Sequence, residues 1–201
     1  IDIVKDKLYT QQILAQHNLP VPKTMLVKYP VNVDLVEEKL GFPVVVKTLS
    51  GSQGSGVFLS ETKANFTDLM EFINTNKQKA NIMLQEFIRS SYGRDLRVFT
   101  IGGRVVACML RISKTGDFKA NFSRGGIVEP YPITPEIEWL ALETSRVLGL
   151  DIAGIDLLFD GEHFKICEAN SAPGFEGIER SCGTNIAGEI YQFIRVRLGK
   201  H

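Results

Sequence analysis

The sequence predicts an α+β protein made of two lobes, and three observations support this fold class. Asp6 and Asn32 are N-cap residues that each precede a helical stretch. A β-branched run at residues 43–47 indicates a buried strand. From Arg94 onward the pattern changes to strands joined by tight glycine turns, which is typical of β-hairpins. The 201 residues suffice for a hydrophobic core, and we expect the lobe boundary near residue 90.

The first lobe, residues 1–90, contains helix signals and strand signals in alternation. Asn18 and Pro20 end its first helix, and Gly41 ends its second. Apolar residues recur at helical spacing over residues 62–76, which predicts an amphipathic helix. The expected elements are helices at about 6–16, 32–41 and 62–76 and strands at about 43–47, 57–59 and 81–88.

The second lobe, residues 91–201, begins with a β-hairpin that turns at Gly102-Gly103. A polar loop over residues 113–126 follows. Thr134 then begins a helix with Pro135 in its first turn, and Gly149 ends that helix. The expected elements are strands at about 96–101, 104–110, 152–159 and 164–169 and helices at about 134–148 and 186–198.

The composition disfavours several classes of protein. The chain has 23 Lys and Arg and 23 Asp and Glu, so no global field attracts nucleic acid or a membrane surface. No apolar run approaches the ~18 residues of a membrane span. Cys108, Cys167 and Cys182 show no paired spacing, which indicates reduced thiols and a cytoplasmic protein. The polar start predicts no signal peptide, and the absence of an initial Met suggests a piece of a longer protein.

A glycine-rich loop, KTLSGSQGSGVFL, begins at Lys47 and ends at Leu59. It matches neither the P-loop pattern nor the dinucleotide-binding pattern, and both of those lead into a helix whereas this loop lies between two strands. The context indicates a flap that can close over phosphates, although a plain turn is the alternative. Lys47 favours the phosphate function because an ammonium group pairs well with phosphate, unless the side chain merely extends to solvent. The candidate phosphate-binding residues are Lys47, Gly51, Ser52, Gln53 and Gly54.

An acidic hairpin is the second informative stretch. Asp156 lies within an apolar strand, where an unpaired carboxylate is costly. If the turn centres on Glu162, Asp156 faces Glu168 across the hairpin, and Asn170 lies on the same face. Two carboxylates and an amide oxygen suit Mg²⁺ or Mn²⁺. A two-residue turn at Asp160-Gly161 would instead place Asp156 opposite Lys165 as a salt bridge, and the sequence leaves both interpretations open.

Charge is segregated in the second lobe. Residues 89–124 contain eight basic and two acidic residues, whereas residues 129–179 contain eleven acidic residues and two of Lys and Arg. A basic hairpin beside an acidic one suits a polyanion held through metal ions. The competing interpretation is nucleic-acid binding by the basic stretch, which the zero net charge disfavours. A solvated face is the third possibility.

Several motifs in order resemble the ATP-grasp superfamily, and most closely the RimK-type glutamate ligases, which add glutamate to the C-terminus of a ribosomal protein. The residues that carry the resemblance are Lys47 with its flap, 84–88, 95–97, Arg111, 119–121, Asp156 and 168–174. The resemblance covers nearly the whole chain. It implies an ATP-grasp fold of two α+β lobes with ATP bound between them, and a family N-terminal domain that is absent from this chain.

The resemblance also implies functions for single residues in nucleotide binding. Lys7 and Lys47 would bind the phosphates of ATP, and the flap at residues 51–56 would close over them. Asp95 would hold the ribose, and Lys119 with Asn121 would lie at the phosphate and metal end. The hinge strand whose backbone reads adenine would comprise Glu86, Phe87 and Ile88.

The implied chemistry is amide formation through an acyl phosphate. Asp156, Glu168 and Asn170 would hold two Mg²⁺ or Mn²⁺ ions, and Arg111 would stabilise the transferring phosphoryl group. The implied partners are ATP, an amino acid (glutamate) and an acceptor protein, peptide or small amine, and a homo-oligomer is compatible with the family. A related ligase that makes a dipeptide or an amino-acid conjugate, and a nucleotide-binding fragment without turnover, are the alternatives.

Overall fold

The computed structural model describes residues 4, 6–48, 56–75, 81–120 and 126–199. Contacts between residues divide the chain into two units. The small unit is Pro22–Arg89, and the large unit is Ser90–His201 together with Ile1–Val21. Each unit combines helices with one antiparallel sheet, which confirms the α+β class.

Helices and strands occur in both units. The helices are α1 (Lys7–Gln16), α2 (Val33–Lys39), α3 (Lys63–Thr75), α4 (Pro135–Val147), α5 (Glu176–Cys182) and α6 (Ile186–Arg197). The strands are β1 (Thr24–Val27), β2 (Val44–Thr48), β3 (Val57–Ser60), β4 (Ile82–Glu86), β5 (Arg94–Ile101), β6 (Arg104–Ile112), β7 (Ile127–Pro130), β8 (Ile152–Asp160) and β9 (His163–Asn170). Among the described residues, no helix has the length and apolar character of a membrane-spanning segment.

The small unit is a four-stranded sheet in the order β1-β4-β2-β3. Helices α2 and α3 pack on one face, where Val36 and Phe66 join a buried cluster with Val44 and Leu84. Strands β2 and β3 pair directly, with Lys47 opposite Val57. The flanking strands therefore confirm that the glycine-rich loop connects two strands.

The large unit is a five-stranded sheet in the order β7-β6-β5-β8-β9. Helices α1 and α4 cover one face through a cluster that contains Leu14, Leu140 and Ile155. Helices α5 and α6 contribute Ile178 and Ile186 to a second cluster. The sheet residues of this second cluster are Phe99, Ile101, Ala107 and Met109.

Local capping explains why most helix boundaries agree with the sequence prediction. The side chain of Asp6 accepts a hydrogen bond from the backbone N–H of Tyr9 at 3.0 Å. Asn32 and Thr134 act in the same way at the starts of α2 and α4. Each cap satisfies a backbone donor that the helix itself leaves without a partner.

Three elements were not predicted, and each lacks a strong local signal. Strands β1 and β7 are only four residues long, which is too short to show an alternating pattern clearly. Helix α5 begins after Phe175, which makes no side-chain capping bond. A short helix without a polar cap residue is hard to recognise in a sequence.

The division of the chain differs from the expected lobes at its start. We expected residues 1–90 to form one lobe, but the described residues up to Val21 belong to the large unit. The physical reason is apolar burial, since Leu14 and Leu19 lie in the cluster that also contains Leu96. The other boundary of the two units lies between Arg89 and Ser90.

Candidate active site on the large sheet

One face of the large sheet changes from apolar to charged along β5. Alternate side chains of a strand point to the same face, so Asp95, Arg97 and Phe99 share a face. Phe99 packs in the cluster with α5 and α6. Asp95 and Arg97 lie towards the other end of the strand, and their side chains are only 16% and 15% exposed. Charged side chains with so little exposure require partners.

Those partners form a charge cluster of Asp95, Arg97, Arg111 and Asp156. Arg97 donates to Asp156 twice, from Nε to Oδ1 at 2.6 Å and from Nη2 to Oδ2 at 2.7 Å. Arg111 reaches Asp156 Oδ2 from Nη2 at 3.0 Å, and its Nε donates to Asp95 Oδ1 at 2.5 Å. The four residues therefore form an unbroken chain of alternating charge across β6, β5 and β8.

Strand register explains why these side chains meet. Asp95 pairs with Arg111 on β6, and Arg97 pairs with Asp156 on β8. Directly opposite residues of antiparallel strands have their side chains on the same face, about 5 Å apart. The backbone pairing therefore brings the opposite charges together before any side chain adjusts.

The electrostatics of the two carboxylates differ. Burial acts to raise the pKa of Asp156, but Arg111 and Arg97 outweigh it and hold that pKa below its usual range. Burial and repulsion from Asp156 raise the pKa of Asp95 to about 6, against the opposing pull of Arg111. At neutral pH the cluster is formally balanced, with two cations and two anions.

Glu168 and Asn170 reach this face because of a bulge in β9. Asp156 pairs with Glu168 and Gly154 pairs with Asn170, whereas Leu157 pairs with Ile166. The extra residue, Cys167, reverses the alternation of the strand. Ile166 therefore faces the cluster under α1 and α4, while Glu168 two residues later faces the charged side.

The predicted pairing of Asp156 with Glu168 is confirmed, but the predicted turn is wrong. The sequence ties this pairing to a turn centred on Glu162 that would pair residue 158 with residue 166, and its alternative is a two-residue turn at Asp160-Gly161. The structure has Leu158 opposite Lys165 and a two-residue turn after Asp160. A two-residue turn matches the twist of the flanking strands, and the bulge at Cys167 then restores the register.

The metal prediction requires that Asp156, Glu168 and Asn170 offer oxygen ligands. Glu168 has no hydrogen bond or ion pair within the described part of the chain, and the buried Nδ2 of Asn170 also lacks a partner there. Both oxygens of Asp156 accept bonds from guanidinium groups, so this carboxylate is only partly available. The donor set fits a hard divalent cation, chiefly through Glu168 and Asn170. Groups of three or more His, Cys, Asp or Glu that could hold a metal are absent from the described residues.

The other candidate residues of the large unit lie on a helix and in a loop. Lys7 is the first residue of α1 and is half-buried. Lys119 lies in the loop after β6, and its ammonium group is 5.3 Å from the ring centroid of Phe118. Asn121 is outside the described residues. The phosphate functions of these residues stay predictions.

The candidate residues of the small unit lie on β2 and at the end of β4. Lys47 lies between Met83 and Val57 in the sheet and projects from the face opposite the buried Val46. Glu86 ends β4, and its side chain accepts a bond from the backbone N–H of Lys23 at 2.9 Å. Phe87 and Ile88 follow directly. The flap residues Gly51, Ser52, Gln53 and Gly54 are outside the described residues.

Arg97 is the site residue that sequence reasoning missed. The sequence shows it only as part of a motif with Asp95 and predicts no function for it. A signal was present, because Asp95 and Arg97 are charged residues at alternate positions of a strand whose neighbouring residues include Leu96, Val98 and Phe99. Such a pair predicts that the same face of a neighbouring strand carries charge as well.

Comparisons with known proteins agree with this architecture. The family model of the RimK-like ATP-grasp domain matches residues 4–194. A relative from Thioalkalivibrio sulfidiphilus named probable alpha-L-glutamate ligase is 39% identical over 202 residues, which cover 100% of this chain and 66% of the relative. A relative of the same name from Vibrio cholerae is 41% identical over 192 residues, covering 94% of this chain and 63% of the relative. The chain thus spans just under two thirds of the length of these relatives.

Solved structures share the fold. A RimK domain ATP-grasp protein from Sphaerobacter thermophilus superimposes with a TM-score of 0.76 at 21% identity, covering 95% of this chain and 67% of the other. The ATP-grasp ligase PsnB, solved with a precursor variant, Mg and ADP, gives a TM-score of 0.76 at 20% identity, covering 96% and 59%. D-alanine–D-alanine ligase from Bacillus anthracis superimposes with a TM-score of 0.73 at 18% identity, and the match covers 99% of this chain and 70% of the ligase. At these identities the likeness establishes the fold alone.

Proposed function

The chain belongs to the RimK-like ATP-grasp family, and on that premise we propose that it is the catalytic part of an ATP- and Mg²⁺-dependent ligase that joins glutamate to an acceptor through an amide bond. The relatives named probable alpha-L-glutamate ligase support the amino acid. The Mg and ADP bound to PsnB support the nucleotide and the metal. The use of Mn²⁺ and the presence of two ions stay predictions.

The observation that carries the proposal is the environment of Arg111. Its side chain is only 6% exposed, and two carboxylates fix its orientation. The Nη1 amino group has no partner among the residues that the structure describes. A buried, oriented guanidinium with spare donors can stabilise the charge of a transferring phosphoryl group without reorganising during the reaction.

The proposed reaction has two steps, a phosphoryl transfer and an amide formation. A carboxylate oxygen of the acceptor attacks the γ-phosphorus of ATP, the bond to the β-phosphate oxygen breaks, and ADP leaves. The amine of glutamate then attacks the resulting acyl phosphate, and phosphate leaves as the amide forms and a proton is released. Bound Mg²⁺ would neutralise phosphate charge during this chemistry.

The residues of this chain have separate tasks in that scheme. Arg111 contacts the phosphoryl group, Asp95 and Asp156 orient Arg111, and Arg97 orients Asp156. Glu168 and Asn170 would be the oxygen donors for Mg²⁺, because the charge balance of the cluster leaves Glu168 as the uncompensated carboxylate on this face. Lys47 and the flap are proposed to contact the phosphates of ATP.

A metal-ligand variant tests the nucleotide site. We expect Glu168→Gln to keep the fold and to weaken Mg²⁺-dependent ATP binding, because the substitution removes the charge but preserves the shape. Titration calorimetry with ATP, with and without Mg²⁺, measures the effect. The matched control is Glu162→Gln, an exposed carboxylate in the turn of the same hairpin, for which we expect no change. Equal ATP affinity for Glu168→Gln and the unaltered protein in Mg²⁺ would contradict the proposed site.

A turnover assay tests the reaction class. The purified protein is incubated with ATP, Mg²⁺, glutamate and candidate acceptors, and both ADP and the amide product are measured. ADP and amide in equal amounts support a ligase. Amide formed only with a small amine or a single amino acid as acceptor indicates the related ligase that makes a conjugate or dipeptide. ATP binding without ADP release identifies a nucleotide-binding module.

A further inference from the structure

A second feature of the large unit lies beside the charge cluster. A cavity of about 200 Å³ is lined by Lys114, Gly126, Ile127, Val128 and Arg180. These residues come from the loop after β6, from the start of β7 and from α5. No residue of this cavity was among the predicted site residues.

The strand register places one wall of the cavity next to Arg111. Val128 on β7 is the direct partner of Arg111 on β6. Directly opposite residues share a face of the sheet, so the side chain of Val128 is the neighbour of the Arg111 guanidinium stem. Val128 also packs against the buried cluster that contains Ile178. Ile178 lies on α5, two residues before Arg180. The cavity therefore adjoins the proposed phosphoryl-transfer site.

The charged residues that line the cavity are all positively charged. Lys114 and Arg180 are its charged lining residues, and neither has an ion pair or hydrogen bond within the described residues. The nearby carboxylate of Glu179 is directed elsewhere, because it accepts a bond from the backbone N–H of Ala187 at 3.1 Å. Two unpaired cations along one cavity repel each other unless an anion lies between them. The cavity is therefore suited to an anionic ligand.

The volume of the cavity and the chemistry of its lining residues indicate which class of ligand it can bind. Pockets for drug-sized molecules measure roughly 300–1,000 Å³, so this cavity suits a ligand no larger than an amino acid. Ile127 and Val128 add an apolar wall that can contact methylene groups, and arginine and lysine are the usual partners of carboxylates. The ligand that combines these features is small, has a short aliphatic stem and carries two carboxylates.

We infer that this cavity binds the acidic amino acid that serves as the attacking amine, with Arg180 and Lys114 each pairing with one of its carboxylates. The inference rests on the proposed function. In that reaction the amino acid reacts only through its amine, so both of its carboxylates stay free for recognition. Arg180 and Lys114 thereby distinguish glutamate from amino acids with neutral or basic side chains.

Charge-neutralising variants test the cavity by direct binding. Arg180→Gln and Lys114→Gln each remove one cation, and Arg104→Gln is the matched control, since Arg104 is a 69% exposed arginine at the far end of β6. Titration calorimetry measures the binding of L-glutamate and L-glutamine to the protein with ADP and Mg²⁺. We expect each cavity variant to lose roughly tenfold to a hundredfold in glutamate affinity, as for a lost charge-assisted hydrogen bond. We expect the control to bind as the unaltered protein does.

Several outcomes would overturn the inference. One is that both cavity variants bind glutamate with unchanged affinity, and another is that Arg104→Gln loses as much glutamate affinity as they do. The inference also fails if the unaltered protein binds glutamine as tightly as glutamate, or if it does not bind glutamate. Weakened binding of an acceptor peptide with an acidic C-terminus, at unchanged glutamate affinity, would assign the cavity to the acceptor and also overturn it.

The two proposals fail separately. Glutamate binding that depends on Arg180, in a protein that forms no amide, would refute the ligase function and keep the cavity assignment. Amide formation with an unchanged KM for glutamate in Arg180→Gln would refute the cavity assignment and keep the ligase function.

Discussion

At the scale of single residues, Asp156 joins the two arginines of the charge cluster. It accepts two hydrogen bonds from Arg97 and one from Arg111. Its own side chain is 9% exposed, so water can replace little of this pairing. The stability of the site therefore depends more on Asp156 than on any exposed ion pair of the same strand.

Removal of Asp156 should destabilise the protein strongly. Asp156→Ala leaves two largely buried guanidinium groups without their shared partner, which costs about 3–5 kcal/mol when one side of a buried pair is lost. Asp160→Ala on the same strand is the control, because the Asp160 side chain is 43% exposed and its 3.3 Å contact with Lys165 is a surface pair worth about 0–1 kcal/mol. Urea unfolding measures both. A loss for Asp156→Ala no larger than for Asp160→Ala would show that the cluster does not stabilise the fold.

Asp95 should give the protein a pH dependence in the acidic range. The folded protein holds this proton up to a pKa of about 6, whereas the unfolded chain releases it at about pH 4. Between these values the folded state binds more protons, so deprotonation favours unfolding and stability falls as pH rises. Asp95→Asn removes this titration. We expect the free energy of unfolding of the unaltered protein, measured relative to Asp95→Asn, to fall between about pH 4 and pH 6. A difference that is constant or rises over this range would contradict the raised pKa.

At the scale of elements, β9 carries residues for two purposes on opposite faces. Phe164 and Ile166 pack in the cluster under α1 and α4, and Glu168 and Asn170 face the charged side. The bulge at Cys167 makes this possible, and helix α1 supports it, because Gln11 Nε2 donates to the Cys167 carbonyl oxygen at 2.9 Å. Without the extra residue, Glu168 would point into the apolar cluster.

The loop after β9 is held close to β8 at Gly154. A Cβ atom at Gly154 would lie 2.7 Å from Cβ of Pro173, whereas a Cβ atom at Gly174 would meet nothing within 4 Å. We therefore expect Gly154→Ala to push Pro173 away from the sheet and to destabilise the protein by about 1–3 kcal/mol, as overpacking does. Gly174→Ala is the control and should change stability little. Thermal and urea unfolding measure both, and equal stabilities for the two variants would show that the contact yields easily.

At the scale of the whole molecule, the chain contains two packing units that do not follow the order of the sequence. The large unit takes in the described residues up to Val21 as well as those after Arg89. Leu14 of α1 is fully buried there with Leu140 and Ile155. The small unit, Pro22–Arg89, is thus inserted between two segments of the large one.

This division predicts which elements lose stability when a core residue is mutated. Leu14→Ala should cost about 2–5 kcal/mol, as for other large-to-small core substitutions, and Leu198→Ala, whose side chain is 63% exposed, should cost far less. Hydrogen exchange followed by mass spectrometry should show faster exchange in α4 and β9 for Leu14→Ala, with unchanged exchange in β2 and β4. Faster exchange in β2 and β4 as well would contradict the assignment of α1 to the large unit.

Most individual elements could be predicted because their signals are local. The capping residues Asp6, Asn32 and Thr134 lie within three residues of the donors that they satisfy. The turn at Gly102-Gly103 could be predicted because paired glycines are a turn signal, and in the structure both glycines adopt positive φ angles, which glycine does at little cost. Strand β7 and helix α5 were missed because their stabilising contacts are with other elements.

By itself the sequence determined the α+β class, the capped helices and the glycine-rich loop between two strands, because these depend on local spacing and alternation. The tertiary structure alone decided that Arg97 and Arg111 share Asp156, that a bulge turns Glu168 and Asn170 to the charged face, and that α1 packs with the large unit. The physical reason is distance along the chain. Arg97 and Asp156 are 59 residues apart in the sequence, and only the order and register of the strands bring them within hydrogen-bonding distance.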